Sequence, residues 1–226
     1  MKKHKQRKLR NAILEHIKEN SRDYVILLTL FILGIVIGVF FINHSSDSQK
    51  QEITSYINTY INTLKEKRQL DYIGLLKDSI LKNIFLATLL WFIGIAATLI
   101  PIIYAIVAFR GFCLGYTISS AIAILGVGNG LIFSGSTLLL QNILIIPAML
   151  AIAFSGIQLH KRILKSPKDN IRDEIRAKSR HGKENIKLEI LRHSIFSLFM
   201  TGILVLASFI EVYVSANLFN LVVQYI

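Results

Sequence analysis

The chain has 226 residues, 53% of them hydrophobic, and a formal net charge of +12. From Gly111 to His160 fifty residues pass without Lys, Arg, Asp or Glu, which excludes a soluble domain, whose helices would show a charged face. The basic residues cluster beside apolar runs without any DNA- or RNA-reading motif, so they read as membrane-boundary signals and anionic-lipid contacts; no nucleic-acid partner is expected.

A bilayer crossing takes about 20 apolar residues, and the pattern predicts an all-α, polytopic helical bundle. It forms a single membrane domain over 1–226 with five transmembrane helices. Residues 1–23 hold eight Lys/Arg against three acids and read as a cytoplasmic basic segment. Leu9, Ile13, Leu14 and Ile17 are spaced for an amphipathic helix on the inner leaflet. The first span is 24–42. It is too long for a signal peptide and lacks a small-x-small cleavage site, so it reads as a retained anchor. Gly34 and Gly38 lie four apart on one face of this span. Such small-xxx-small pairs let another helix approach closely, whether of this chain or of a partner.

Residues 43–82 form a nearly balanced outside loop, six Lys/Arg against five acids. Ile53, Ile57, Ile61 and Leu64 give it amphipathic helical spacing, and Leu70, Ile73, Leu76, Ile80 and Leu81 continue that spacing toward the next span. The loop is a candidate contact surface. The second span is expected over 83–109, with Pro101 kinking it from inside. Because a lone Arg at the bilayer centre is expensive, Arg110 is placed in a tight turn before the third span, 112–125. Gly126, Gly128 and Gly130 with Asn129 then mark a turn.

The fourth span is 138–159, followed by a cytoplasmic basic loop, 160–193, with eleven Lys/Arg against five acids. That loop carries a solvated charged helix from Asp169 to Glu189. The fifth span is 194–211, with Glu211 about 27 Å along it from His193 and hence near the far interface. An outer C-terminal tail, 212–226, completes the chain. With the N-terminus inside and the C-terminus outside, every strongly basic segment faces the cytoplasm.

No catalytic, cofactor-binding or metal-binding residue is identified, and no enzyme is expected. The six histidines show no metalloprotease spacing and read as markers of interfaces or solvated loops. Ser134-Gly135-Ser136 has no base near it, and the Gly126 to Gly130 cluster lacks the Gly-Lys-Ser/Thr of a phosphate loop. Cys113 is a small packing residue. Buried amides in hydrocarbon need partners, so Gln141 and Asn142 are expected to bond between helices. The other reading is a small permease or channel subunit whose path is lined by Gln141, Asn142 and Glu211.

Two stretches, Arg110-Gly111-Phe112-Cys113-Leu114-Gly115-Tyr116-Thr117 and Gln141-Asn142-Ile143-Leu144-Ile145-Ile146-Pro147-Ala148, resemble the stage II sporulation protein M family. The likeness covers nearly the whole chain. It implies a non-enzymatic membrane scaffold for engulfment and cell wall remodelling in endospore formation, in the cell membrane at the sporulation septum. Its implied partners are the peptidoglycan-degrading stage II sporulation proteins P and D, besides membrane lipids. Arg110, Gly111, Phe112, Gly115, Tyr116, Gln141, Asn142 and Pro147 match the motif positions, and the resemblance assigns them to fold or assembly. It leaves the oligomeric state open.

Overall fold

The computed structural model describes residues 21–46, 48–55, 59, 72–96, 99–135, 140–164 and 175–215. Among them the secondary structure is helical throughout: α1 (Ser21–Asn43), α2 (Tyr72–Ile95), α3 (Ile100–Leu125), α4 (Val127–Ser134), α5 (Leu140–Leu164) and α6 (Ile175–Phe209), continued by a π-helical segment, Ile210–Ser215. Five of these are long and apolar enough to cross a membrane; the windows run Ser21–Asn43, Tyr72–Ile95, Ile100–Leu125, Asn142–Ile163 and Ile186–Tyr213. Residues 1–20 and 216–226, and most of 56–71, lie outside the described residues. So do the expected amphipathic N-terminal helix, the outer tail beyond Ser215, and Ile57, Ile61, Leu64 and Leu70 of the loop periodicity.

The break between the second and third spans is not where the charge pattern puts it. α2 ends at Ile95, and α3 runs without interruption from Ile100 to Leu125, carrying Arg110 inside it. Ala96 N–H still donates to the Phe92 carbonyl at 3.1 Å and Leu99 N–H to that of Ala96 at 2.9 Å. Pro101 then occupies the first turn of α3. There its missing N–H removes no intrahelical bond and its fixed φ suits helix entry, so the proline starts a helix instead of kinking one.

α2 begins at Tyr72, eleven residues before the expected start. Ser79 and Asn83, which give its first turns the look of a loop, are buried and bond to the π-helical segment and to α6. The expected charged helix and fifth span are likewise one element, because α6 passes from Ile175 to Phe209 with no break at Ser194. At the glycine turn, Gly126 has φ +80°, a conformation open to glycine at no steric cost, and α4 follows directly. Gly130 then presses on the main chain of Ile122, folding α4 back on α3.

α5 is the central helix: half of its membrane window is buried inside the protein, against 22–33% for the other four. It packs on α2 and α6, while α1 packs along α3 and touches α5. One core unites the elements, with Leu27 and Phe31 from α1, Leu90 from α2, Ile103 and Val107 from α3, Met149 and Ile152 from α5, and Leu204 from α6. The outer faces remain apolar and exposed, as at Ile37 and Phe40 on α1, Phe85 and Phe92 on α2, and Leu198 and Leu206 on α6. Such faces suit hydrocarbon, where helices complete their backbone hydrogen bonds internally. Residues 48–55 are helical, and Ile53 and Thr54 share a cavity of about 230 Å³ with Ile42 and Ile124, at the ends of α1 and α3.

Candidate functional site

Between helices in lipid there is no hydrophobic driving force, so association depends on close packing and interhelical hydrogen bonds. The bundle uses both, in three places.

The first is a seam of four glycines. Gly34 lies against the carbonyl of Ala108 and the N–H of Phe112, and Gly38 against the same two groups of Phe112 and Tyr116. From the other side Gly111 meets the carbonyl of Phe31 and Gly115 that of Ile35. Each step of four on α1 matches a step of four on α3 in the same direction, so the two helices run parallel, main chain against main chain. The Cα atoms of one helix face the carbonyl oxygens of the other, the arrangement of Cα–H···O contacts. Beside the seam Phe112 and Tyr116 stack with centroids 6.0 Å apart, and Phe41 closes edge-on over Phe112 at 5.7 Å. Thus the pair noticed on the first span meets the glycines of the Arg110 to Thr117 stretch within the same chain.

The second place is a glycine contact between α2 and α5. A Cβ on Gly156 would stand 2.8 Å from the Cα of Gly94, and one on Gly94 would stand 2.8 Å from the ring Nε2 of His193. His193 is therefore no marker of a solvated loop: it is only 3% exposed. Its Nδ1 pairs with the Ser155 hydroxyl at 2.8 Å, and Nε2 faces the Trp91 carbonyl at 3.4 Å. The indole N–H of Trp91 donates to Ser194 Oγ at 3.0 Å. Neither Gly94 nor Gly156 stood out in the sequence, although glycine in an apolar span was the available signal.

Polar groups at the two ends of the bundle make the third set. At the basic end Asp23 is buried and accepts from Lys161 Nζ at 2.5 Å and Gln158 Nε2 at 2.8 Å, which ties α1 to α5. Arg162 and Arg192 both donate to Glu189, at 2.7 and 3.0 Å. At the opposite end Ser79 donates to the Glu211 carboxylate at 2.5 Å, and Asn83 Nδ2 donates to Ser208 Oγ at 2.9 Å. Glu211 sits in the π-helical segment. Arg110, half-buried in α3, lies within electrostatic reach of that carboxylate. A charge expected in a turn between spans is thus carried inside one.

Of the second motif, Asn142 is buried on α5 and partnered. Pro147 is exposed within the same helix. Gln141 belongs to α5, but its side chain lies outside the described residues. Ser134 is buried at the end of α4, while Ser136 also lies outside them.

Five apolar helices closed by glycine contacts and interhelical hydrogen bonds define a multi-pass membrane protein. Of its motif residues, Gly111, Phe112, Gly115 and Tyr116 line the contact between α1 and α3. The family model for stage II sporulation protein M matches residues 27–216, and the chain belongs to that family. No curated protein and no solved structure shows a significant match.

Proposed function

We propose that this sporulation-family membrane protein is a non-enzymatic scaffold that positions peptidoglycan-degrading partners at the septum during engulfment. The observation that carries the reading is how the motif is used. Gly111 and Gly115 are occupied by main-chain contact with α1, and three polar side chains within the bundle bond to neighbouring helices. Glu211 is held by Ser79, Asn83 by Ser208, and Asp23 by Lys161 and Gln158. Groups engaged in this way fix the bundle, and the cell-wall chemistry belongs to the partners.

The partners proposed are stage II sporulation proteins P and D. The end of the bundle carrying Arg22, Lys161, Arg162, Lys187 and Arg192 faces the cytoplasm by the positive-inside rule. The 43–82 region then stands outside, on the side of the wall, as the first candidate contact surface. Crosslinking followed by affinity purification from sporulating cells tests the proposal. Recovery of both hydrolases with the wild-type chain, and their loss when the outside residues are scrambled, is the expected result. Bait intact at the septum with neither hydrolase captured would overturn it.

A further inference from the structure

A cavity of about 340 Å³ opens at the basic end of the bundle between α1, α5 and α6. Its wall is aromatic: Tyr24 and Phe154 stack with ring centroids 3.8 Å apart, and Phe196 faces the same space. Its charged lining is Arg162, Arg192 and Glu189, beside Ser155, Gln158 and His193. Glu189 takes one N–H from each guanidinium, which draws the two arginines together across α5 and α6. A guanidinium has five N–H donors, so both keep donors for another acceptor, and the three side chains together carry a net positive charge. That chemistry matches a phosphate, which arginine binds with paired, charge-assisted hydrogen bonds.

The surroundings separate a lipid phosphate from a free one. Arg162 lies at the end of the span Asn142–Ile163, and Arg192 one to two turns inside the start of Ile186–Tyr213, the depth at which headgroups meet hydrocarbon. One turn deeper than Tyr24 and Phe196, the apolar side chains of Leu28 and Phe199 are exposed, which provides a track for acyl chains below the cavity. The chain's own residues 1–20 are a poor occupant, since they carry seven Lys/Arg against two acids and would meet like charge. We propose that this cavity binds the phosphate headgroup of an anionic phospholipid, with Arg162 and Arg192 on the phosphate and the aromatic wall against the glycerol and upper acyl region. Basic pockets between membrane helices are general sites for such headgroups.

The test is thermal unfolding of the purified full chain in mild detergent with added dioleoylphosphatidylglycerol, dioleoylphosphatidylcholine or inorganic phosphate. The anionic dioleoylphosphatidylglycerol is expected to raise Tm at concentrations where the other two do not. The pair Arg162→Gln with Arg192→Gln should raise the half-saturating lipid concentration roughly ten-fold or more, as expected for losing charged hydrogen bonds. The pair Lys77→Gln with Lys82→Gln, at the opposite end of the bundle, should leave it unchanged. Equal shifts with both lipids, or an unaltered response in the arginine double variant, would overturn the site. A shift with inorganic phosphate equal to that with the lipid would overturn the assignment to lipid. If the double variant fails to fold, Arg192→Gln alone decides: its side chain is 71% exposed and the Arg162 to Glu189 pair survives it. A weakened lipid response there supports the site, and a full one overturns it.

Discussion

Gly111 of α3 rests against the main-chain carbonyl oxygen of Phe31 of α1, leaving no space in which a side chain could stand. The same holds for Gly34 against Ala108, so two helices far apart in sequence meet at backbone distance. A contact this close cannot be repaired by rotating a side chain, because both sides of it are main chain.

Gly111→Ala and Gly34→Ala should therefore each destabilise the bundle, by about 1–3 kcal/mol as an overpacked contact. Gly202→Ala is the control, since nothing stands within 4 Å of its Cβ position and alanine is the better helix former. Thermal unfolding in detergent should rank the first two well below wild type and the third level with it. Equal Tm values for all three would refute the seam.

Asp23→Asn removes the charge that holds Lys161 while keeping the side chain's size. Lys161 is 46% exposed, so it can turn to solvent and the loss is screened. The cost should be about 1 kcal/mol, mainly for weakened hydrogen bonds from Lys161 and Gln158. A double-mutant cycle with Lys161→Gln reads the pair: a coupling energy near zero would mean that Gln158 alone holds Asp23.

Glu211→Gln discriminates between scaffold and permease. The amide keeps an oxygen to accept from Ser79 and should leave stability within about 1 kcal/mol of wild type. In liposomes loaded with a pH-sensitive dye, wild type and variant should give equal, baseline proton flux. A wild-type flux abolished in the variant would favour a transport path lined by Glu211.

Orientation is open to labelling. With Cys113→Ser as background, His44→Cys should react with a membrane-impermeant maleimide on intact cells, and Lys187→Cys only after permeabilisation. The reverse pattern would invert the bundle and move the 43–82 region to the cytoplasmic side.

The number of spans and their all-helical character were legible because apolar runs of crossing length survive any detail of packing. Where the chain turns was less so. Arg110 looked like a boundary because its charge was weighed alone, whereas the helix runs on through it and leaves it half-buried in α3. Pro101 carried the better signal but was read for the hydrogen bond it breaks inside a helix, not for the helix it begins. Ser79 and Asn83 concealed the first turns of α2, since their partners Glu211 and Ser208 lie more than a hundred residues away. The Gly34 and Gly38 face was visible at once, yet its partner glycines sat in a stretch noticed for a different reason. His193 was misjudged because its hydroxyl partner, Ser155, belongs to another span.

α6 has 35 residues before its π-helical end, so at 1.5 Å per residue it is a rod about 52 Å long, against about 30 Å of hydrocarbon. Roughly 20 Å of it therefore stands clear of the hydrocarbon, continuous with the part inside. A load applied to that projecting end, whether by a protein or by a moving membrane, has no loop in which to dissipate before it reaches the opposite face. Glu211 and Ser79 sit where such a lever would deliver its displacement.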